Sequence, residues 1–252
     1  MTPTRRQFLI IAGLSAVGVV CPSVAQLVAS KPGSPETTGL KAKRWAMAVD
    51  ATKCRADCTD CFRACHAAHN VPDIGNPKEE VKWIWPERFD HVFHAESHAH
   101  IPEAIRTRPV PILCNHCDNP PCVRVCPTGA TFRRADGIVM MDSHRCIGCK
   151  ICLAACPYGA RSINFRNPRP FIARLNPEFP TRSKGVIEKC NFCEERLAKG
   201  VLPACVMACQ EKALVFGDAE DPRSELRQLL DRKFTIRRRA ELGTQPQVYY
   251  TL

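Results

Sequence analysis

Cys146-Ile147-Gly148-Cys149-Lys150-Ile151-Cys152-Leu153-Ala154-Ala155-Cys156-Pro157 places a cysteine at every third residue three times, then a fourth after three more residues, then a proline. A tight loop of this kind points three sulfurs at one centre while its backbone N–H groups face inorganic sulfide, and the fourth thiolate is left to reach a neighbouring centre. Three further quartets accompany it: Cys54, Cys58, Cys61, Cys65; Cys114, Cys117, Cys122, Cys126; and Cys190, Cys193, Cys205, Cys209. Of the 17 cysteines only Cys21 stands apart. At four thiolates per cubane, the quartets supply ligands for four [4Fe–4S] clusters. Such a donor set implies electron transfer.

The same cysteines fit other uses less well. Zinc ribbons use pairs of C-x2-C with a spacer, without a third cysteine three residues on. Cysteines three apart on a tight loop are poorly placed to bridge one another, and a chain of 252 residues needs no disulfide staples. The second quartet, C-x2-C-x4-C-x3-C-P, is a variant of the third. The first has x3 where x2 is usual, and the fourth opens a long gap between Cys193 and Cys205. Repetition in one chain makes the case for these two.

The amino terminus reads Thr4-Arg5-Arg6-Gln7-Phe8-Leu9 and continues apolar to Val20. Twin arginines ahead of a moderate apolar core read as a twin-arginine export signal over residues 1–25, with cleavage after Ala25; an ordinary basic signal or an uncleaved anchor is the alternative. Clusters are assembled in the reducing cytoplasm, so a chain that carries them outward has to leave already folded. The expected destination is the periplasm. The apolar run is shorter than the roughly 20 residues that span a bilayer, and membrane contact is expected only through a partner.

The formal charge of +11 would ordinarily suggest nucleic acid or anionic lipid. An oxidised cubane with its four thiolates carries about −2, so four bring about −8, and removal of Arg5 and Arg6 with the signal is expected to bring the assembled molecule close to neutral. No basic groove interleaved with aromatics accompanies the charge, and no nucleic acid is expected as partner. Arg237-Arg238-Arg239 reads as a solvated stretch or a docking patch. No nucleotide loop, serine triad or paired-carboxylate site stands out, so the chain is expected to have no substrate site of its own and to act as a non-catalytic subunit.

Residues 26–44 read as a linker, and Trp45 to Val49 as a short strand. After Cys126-Pro127, the segment Gly129 to Asp142 with Asp136-Gly137 at its turn reads as a β-hairpin. Pro-containing segments 67–113 and 166–188 read as irregular insertions on the outside. Asp221-Pro222 reads as the N-cap and first residue of a helix carrying Leu226, Leu229 and Leu230, within a C-terminal helix and tail over 218–252. His91, His94, His98 and His100 crowd one insertion, either as surface histidines or as haem or metal ligands. Trp83 and Trp85 read as packing residues.

The hairpin joining two cysteine runs over 114–165 resembles a two-cluster bacterial ferredoxin, and Ala213 to Phe216 after the fourth quartet resembles Ala130 to Phe132 after the second. The resemblance implies an α+β chain of two ferredoxin-like modules in pseudo-symmetric arrangement, each holding two [4Fe–4S] clusters. The central module is 114–165, inserted in a split module formed by 45–66 and 189–217. In such ferredoxins the fourth cysteine of a run crosses to the other cluster. That implies four ligand sets: Cys114, Cys117, Cys122 with Cys156; Cys146, Cys149, Cys152 with Cys126; Cys54, Cys58, Cys61 with Cys209; and Cys190, Cys193, Cys205 with Cys65.

Residues 45–217 resemble the four-cluster ferredoxin-like subunits of membrane respiratory complexes, including those of polysulfide and dimethyl sulfoxide reductases. Segments 76–87, 113–134, 136–165, 184–200 and the ending ELGTQPQVYY (241–250) resemble the DsrO branch. The resemblance implies docking on an NrfD-type polytopic quinone subunit at the outer membrane face. In a DsrMKJOP-like complex, the further partners would include a multihaem cytochrome c. Electrons would pass between the quinone pool and dissimilatory sulfite or sulfate metabolism. The alternative implied is an electron-transfer subunit of a molybdopterin enzyme or of a nitrite, polysulfide or tetrathionate reductase.

Overall fold

The computed structural model describes residues 39–94 and 100–251. The export signal with Arg5-Arg6 and Cys21, most of the 26–44 linker, and His98 lie outside the described residues. Strand β1 (Trp45–Asp50) is buried along its whole length. It pairs antiparallel with β8 (Leu214–Asp218), Met47 opposite Phe216, and parallel with β9 (Val248–Thr251), Met47 opposite Val248. Its two faces differ in residue size. Trp45, Met47 and Val49 enter the main core with Phe216, Leu214 and Tyr250. Ala46 and Ala48 make the other face low enough for helix α8 (Glu225–Arg232), whose Leu226 is fully buried against them and Val215. A Cβ on Gly217 would come 3.2 Å from the Cβ of Leu226, so that seam has no room to spare.

Helix α8 starts later than the sequence suggests. Ser224 is its N-cap and accepts from Arg227 N at 3.0 Å, whereas Asp221 closes a turn ahead of it through Arg223 N. Both residues satisfy free N–H groups, and the one closest to the periodic leucines takes the cap. The tail beyond α8 ends as a strand, pairing with β1 in a way its short polar approach conceals.

Segment 67–113 corrects the expectation of an irregular exterior. Helix α1 (Asp60–His69) crosses the expected boundary at residue 66 and stops at Asn70, a left-handed cap with φ 51°. Strand β2 (Ile84–Arg88) then pairs antiparallel with β3 (Pro109–Leu113), after single turns α2 (Phe89–Val92) and α3 (Glu103–Arg106). Pro86 stands opposite Pro111, so two of the three residues of this pair that lack an N–H share one place in the ladder, and the third, Pro109, begins β3. Val81, Trp83, Ile84, Phe89, Phe93, Val110, Ile112 and Leu113 from this segment are buried in the main core. Prolines hid a strand pair there.

The central segment forms α4 (Pro121–Arg124), the hairpin of β4 (Thr131–Arg133) with β5 (Val139–Met141), α5 (Ile151–Ala154), and β6 (Ser162–Ile163) paired with β7 (Ile187–Glu188). Single turns α6 (Glu194–Leu197) and α7 (Ala204–Ala208) follow. Segment 166–188 is irregular apart from a 3₁₀ turn at Arg169–Phe171 and the short strand β7 at its end. It is pinned to the end of α1 by reciprocal bonds, Asn70 Nδ2 to Phe179 O at 2.6 Å and Asn176 Nδ2 to Ala68 O at 2.7 Å. Among the described residues, four small sheets and short helices make a mixed α and β fold. No helix among the described residues is long and apolar enough to cross a membrane.

Candidate metal centres

The second, third and fourth cysteine runs share a local geometry. In each opening Cys-x-x-Cys, the residue before the second cysteine is left-handed: His116 (φ 40°), Gly148 (φ 67°) and Phe192 (φ 57°). That reversal turns both sulfurs toward one side of the loop. The third cysteine then lies on a single helical turn, Cys122 in α4, Cys152 in α5 and Cys205 in α7. The fourth leaves that turn and closes another, with Gly129 N, Gly159 N and Lys212 N donating to the carbonyls of Cys126, Cys156 and Cys209. The first run is built differently. Cys61 and Cys65 both ride on α1, one turn apart along its axis.

That offset sends the two cysteines to different neighbours. Cys61 lines a cavity with Cys54, Cys58 and Cys209, and its thiol faces all three. Cys65, one turn on, faces Cys190, Cys205 and Cys193. Cys117 lies with Cys114, Cys122 and Cys156. Cys126, Cys146, Cys149 and Cys152 line a second cavity. In every group, three cysteines come from one run and one from another.

Backbone N–H groups are aimed at these sulfurs. Ala213 N lies 3.2 Å from Cys209 Sγ, while Thr131 N, Phe192 N and Ala204 N lie 3.4 Å from the sulfurs of Cys126, Cys190 and Cys193. Such donors stabilise thiolates and the sulfides of a cluster. Burial, reinforced by neighbouring sulfurs, pushes the Cys54 thiol up to about 11 and those of Cys61 and Cys117 up to about 12. Cys190 is likewise pushed up to about 12, by burial first and then by Cys114. Deprotonating groups so placed requires a strong cationic partner, which iron would supply.

The surroundings call for negative charge. Lys189, 2% exposed, donates to the carbonyls of Val139 and Cys190 and has no carboxylate partner among the described residues. Arg238 is buried with its Nε and Nη1 unpartnered. Uncompensated buried cations cost several kcal/mol. Anionic clusters would supply the missing countercharge, so donor set and surroundings both fit [4Fe–4S].

Residues 105–168 and 175–219 match the model of the 4Fe-4S dicluster domain. Over 98% of its length the chain is 38% identical to an Hdr-like menaquinol oxidoreductase iron-sulfur subunit 1 from Archaeoglobus fulgidus, covering 97% of that protein. The chain belongs to this family of iron–sulfur subunits. It is also 36% identical to a subunit of the tetrathionate reductase of Salmonella typhimurium, over 99% of this chain and 88% of that one. With protein NrfC of Escherichia coli it shares 37% identity over 99% of this chain and 95% of that one. Members of this family are electron-transfer subunits of larger oxidoreductase complexes, and [4Fe–4S] clusters are their cofactors.

Several residues of this iron–sulfur subunit escape a reading by spacing. His69 Nδ1 lies 2.9 Å from Cys65 O, its Nε2 lies 2.9 Å from Glu195 Oε1, and its ring stacks on Trp83. His69, Glu195 and Cys193 place one ligand atom each within 4.8 Å of one another. With both His69 nitrogens engaged and Cys193 facing Cys65, Cys193 belongs to the Cys65 group, and His69 and Glu195 pack around it. Thr244 of the tail meets Cys117 and Tyr158. His116 is buried, accepts from Val139 N at Nδ1, and stacks on Phe192 with ring centroids 3.6 Å apart. In the insertion, His91 is exposed beside Glu87, and His94 and His100 are also exposed.

Proposed function

We propose that this chain is the wire of a membrane-attached respiratory complex, carrying single electrons through four [4Fe–4S] clusters held in crossed pairs of ligand sets. Cys54, Cys58 and Cys61 would share a cluster with Cys209; Cys65 with Cys190, Cys193 and Cys205; Cys114, Cys117 and Cys122 with Cys156; and Cys126 with Cys146, Cys149 and Cys152. When bound, each cluster takes up or returns one electron without a proton. The protein's part is to fix spacing, exclude water and supply N–H groups and buried cations around each site.

The observation that carries this reading is the position of Cys209 beside Cys54, Cys58 and Cys61, against its own run. Repeated left-handed positions at His116, Gly148 and Phe192 support a pseudo-symmetric pair of modules, one inserted in the other. The Cys209→Ser variant is expected to damage the cluster of Cys54, Cys58 and Cys61 and spare that of Cys190, Cys193 and Cys205. Cluster-resolved EPR losing the Cys190 signal instead would sink the crossed assignment.

We infer a periplasmic location, reached by the twin-arginine route, and docking on an NrfD-type polytopic quinone subunit. A multihaem cytochrome c and the other subunits of a DsrMKJOP-like complex would complete the path, serving dissimilatory sulfur metabolism. The likeness to a menaquinol oxidoreductase subunit supports the quinone side of that proposal. The likeness to a tetrathionate reductase subunit favours the second reading, an electron-transfer subunit of a reductase. Anaerobic affinity purification from native membranes separates them: covalent haem with polytopic subunits and no molybdenum supports the first, and a large molybdenum-bearing subunit the second.

A further inference from the structure

Arg161 stands between the third cysteine run and β6, and it is 5% exposed. Its Nη1 donates to Thr131 Oγ1 at 3.1 Å and lies 3.8 Å from Met141 Sδ. Nη2 is buried with no partner. No carboxylate among the described residues pairs with the guanidinium. What faces it is sulfur: Cys122, Cys152 and Cys114. Cys122 belongs with Cys114, Cys117 and Cys156, whereas Cys152 belongs with Cys126, Cys146 and Cys149. One fixed positive charge therefore lies at the boundary of two cysteine groups.

We propose that Arg161 is a positioning residue of the electron path, whose single charge raises the reduction potentials of both clusters it adjoins. Each reduction adds one negative charge to a cluster, and a nearby cation in a poorly screened interior stabilises the reduced form more than the oxidised one. The unpartnered Nη2 is the donor left over for the anionic groups on either side. Because the charge is shared, it shifts the two sites together and makes both easier to reduce. The sulfurs that act most strongly on this guanidinium belong to the groups of Cys114 and Cys152, not to those of Cys54 and Cys65.

This inference rests on the four-cluster reading, and the test separates the two. The full chain is purified anaerobically with its clusters, and iron is counted first. Fewer than about sixteen irons per wild-type chain overturns the four-cluster reading itself. On fully loaded protein, R161Q and R161K are titrated potentiometrically with EPR resolving each cluster. In R161Q the clusters at Cys126/Cys146/Cys149/Cys152 and Cys114/Cys117/Cys122/Cys156 are expected to become harder to reduce, with the other two unmoved. R161K keeps the charge and should leave all four nearly in place. Unmoved potentials in R161Q, an equal shift of all four, or a fall in R161K as large as in R161Q would each overturn the proposal. Should R161Q fail to load, R161K alone decides: potentials held near wild type support it, and lowered ones overturn it.

Discussion

Lys212 stands three residues after Cys209, where Gly129 and Gly159 stand after Cys126 and Cys156, and all three have positive φ. A left-handed backbone costs a side-chain-bearing residue about 1–2 kcal/mol, and glycine gives back roughly 0.5–1 kcal/mol of that through its freer unfolded state. Lys212 is exposed and the turn is held by its backbone N–H. Lys212→Gly is therefore expected to raise stability by about 0.5–1 kcal/mol, read as a higher denaturant midpoint at unchanged m-value in anaerobic unfolding. Gly148 is the reverse case. A Cβ there would approach Gly185 O to 2.3 Å, so glycine is required by space as well as by φ. At this scale the cysteines were legible because iron–sulfur chemistry dictates their spacing along the chain. Arg161, His69 and Thr244 were not, since no spacing rule links a side chain to a sulfur that distant segments bring to it.

Among the elements, β1 and the β4–β5 hairpin could be read from alternation and an Asp-Gly turn, whereas β9 could not. Val248, Tyr250 and Thr251 are buried, but the approach to them is polar and bears Pro246. That approach instead covers the second cysteine loop. Asp118 N and Asn119 N donate to Gln245 O and Thr244 O, and Gln247 N donates to Asn115 O at 2.8 Å. The tail thus closes the site of Cys117 before it joins the sheet. Burying Val248 and Tyr250 contributes roughly 2–3 kcal/mol each, a large part of the 5–15 kcal/mol typical of a whole domain. Deleting 244–252 should abolish loading of all clusters. Thr244→Val keeps the shape and removes only the hydroxyl that meets Cys117 and Tyr158. Its expected cost is about 1 kcal/mol, with an altered EPR signal confined to the Cys114/Cys117/Cys122/Cys156 cluster. A change at the Cys54 group instead would mean that the tail acts through the sheet.

Across the molecule, the four cysteine groups follow one another in a row. Cys152 faces Cys122, Cys190 faces Cys114, and Cys65 faces Cys61. This row could be anticipated in outline from paired runs, but its accessibility could not, because exposure depends on which insertions cover which end. The group of Cys65, Cys190, Cys193 and Cys205 is wholly buried, under segments 67–113 and 166–188. At one end of the row Cys149 is exposed, between Ile147 at 69% and Ile151 at 48% exposure. An apolar rim around an exposed ligand is where a redox partner can approach closely, and it is also where oxidant arrives first. On the proposed ligand sets, exposure to limited air should therefore destroy the Cys126/Cys146/Cys149/Cys152 cluster earliest and the Cys65/Cys190/Cys193/Cys205 cluster last. EPR sampled through the oxidation would follow the loss of each signal in turn. Loss of the Cys65 cluster before the Cys149 cluster would mean that water and oxygen reach the row from the side rather than from its end.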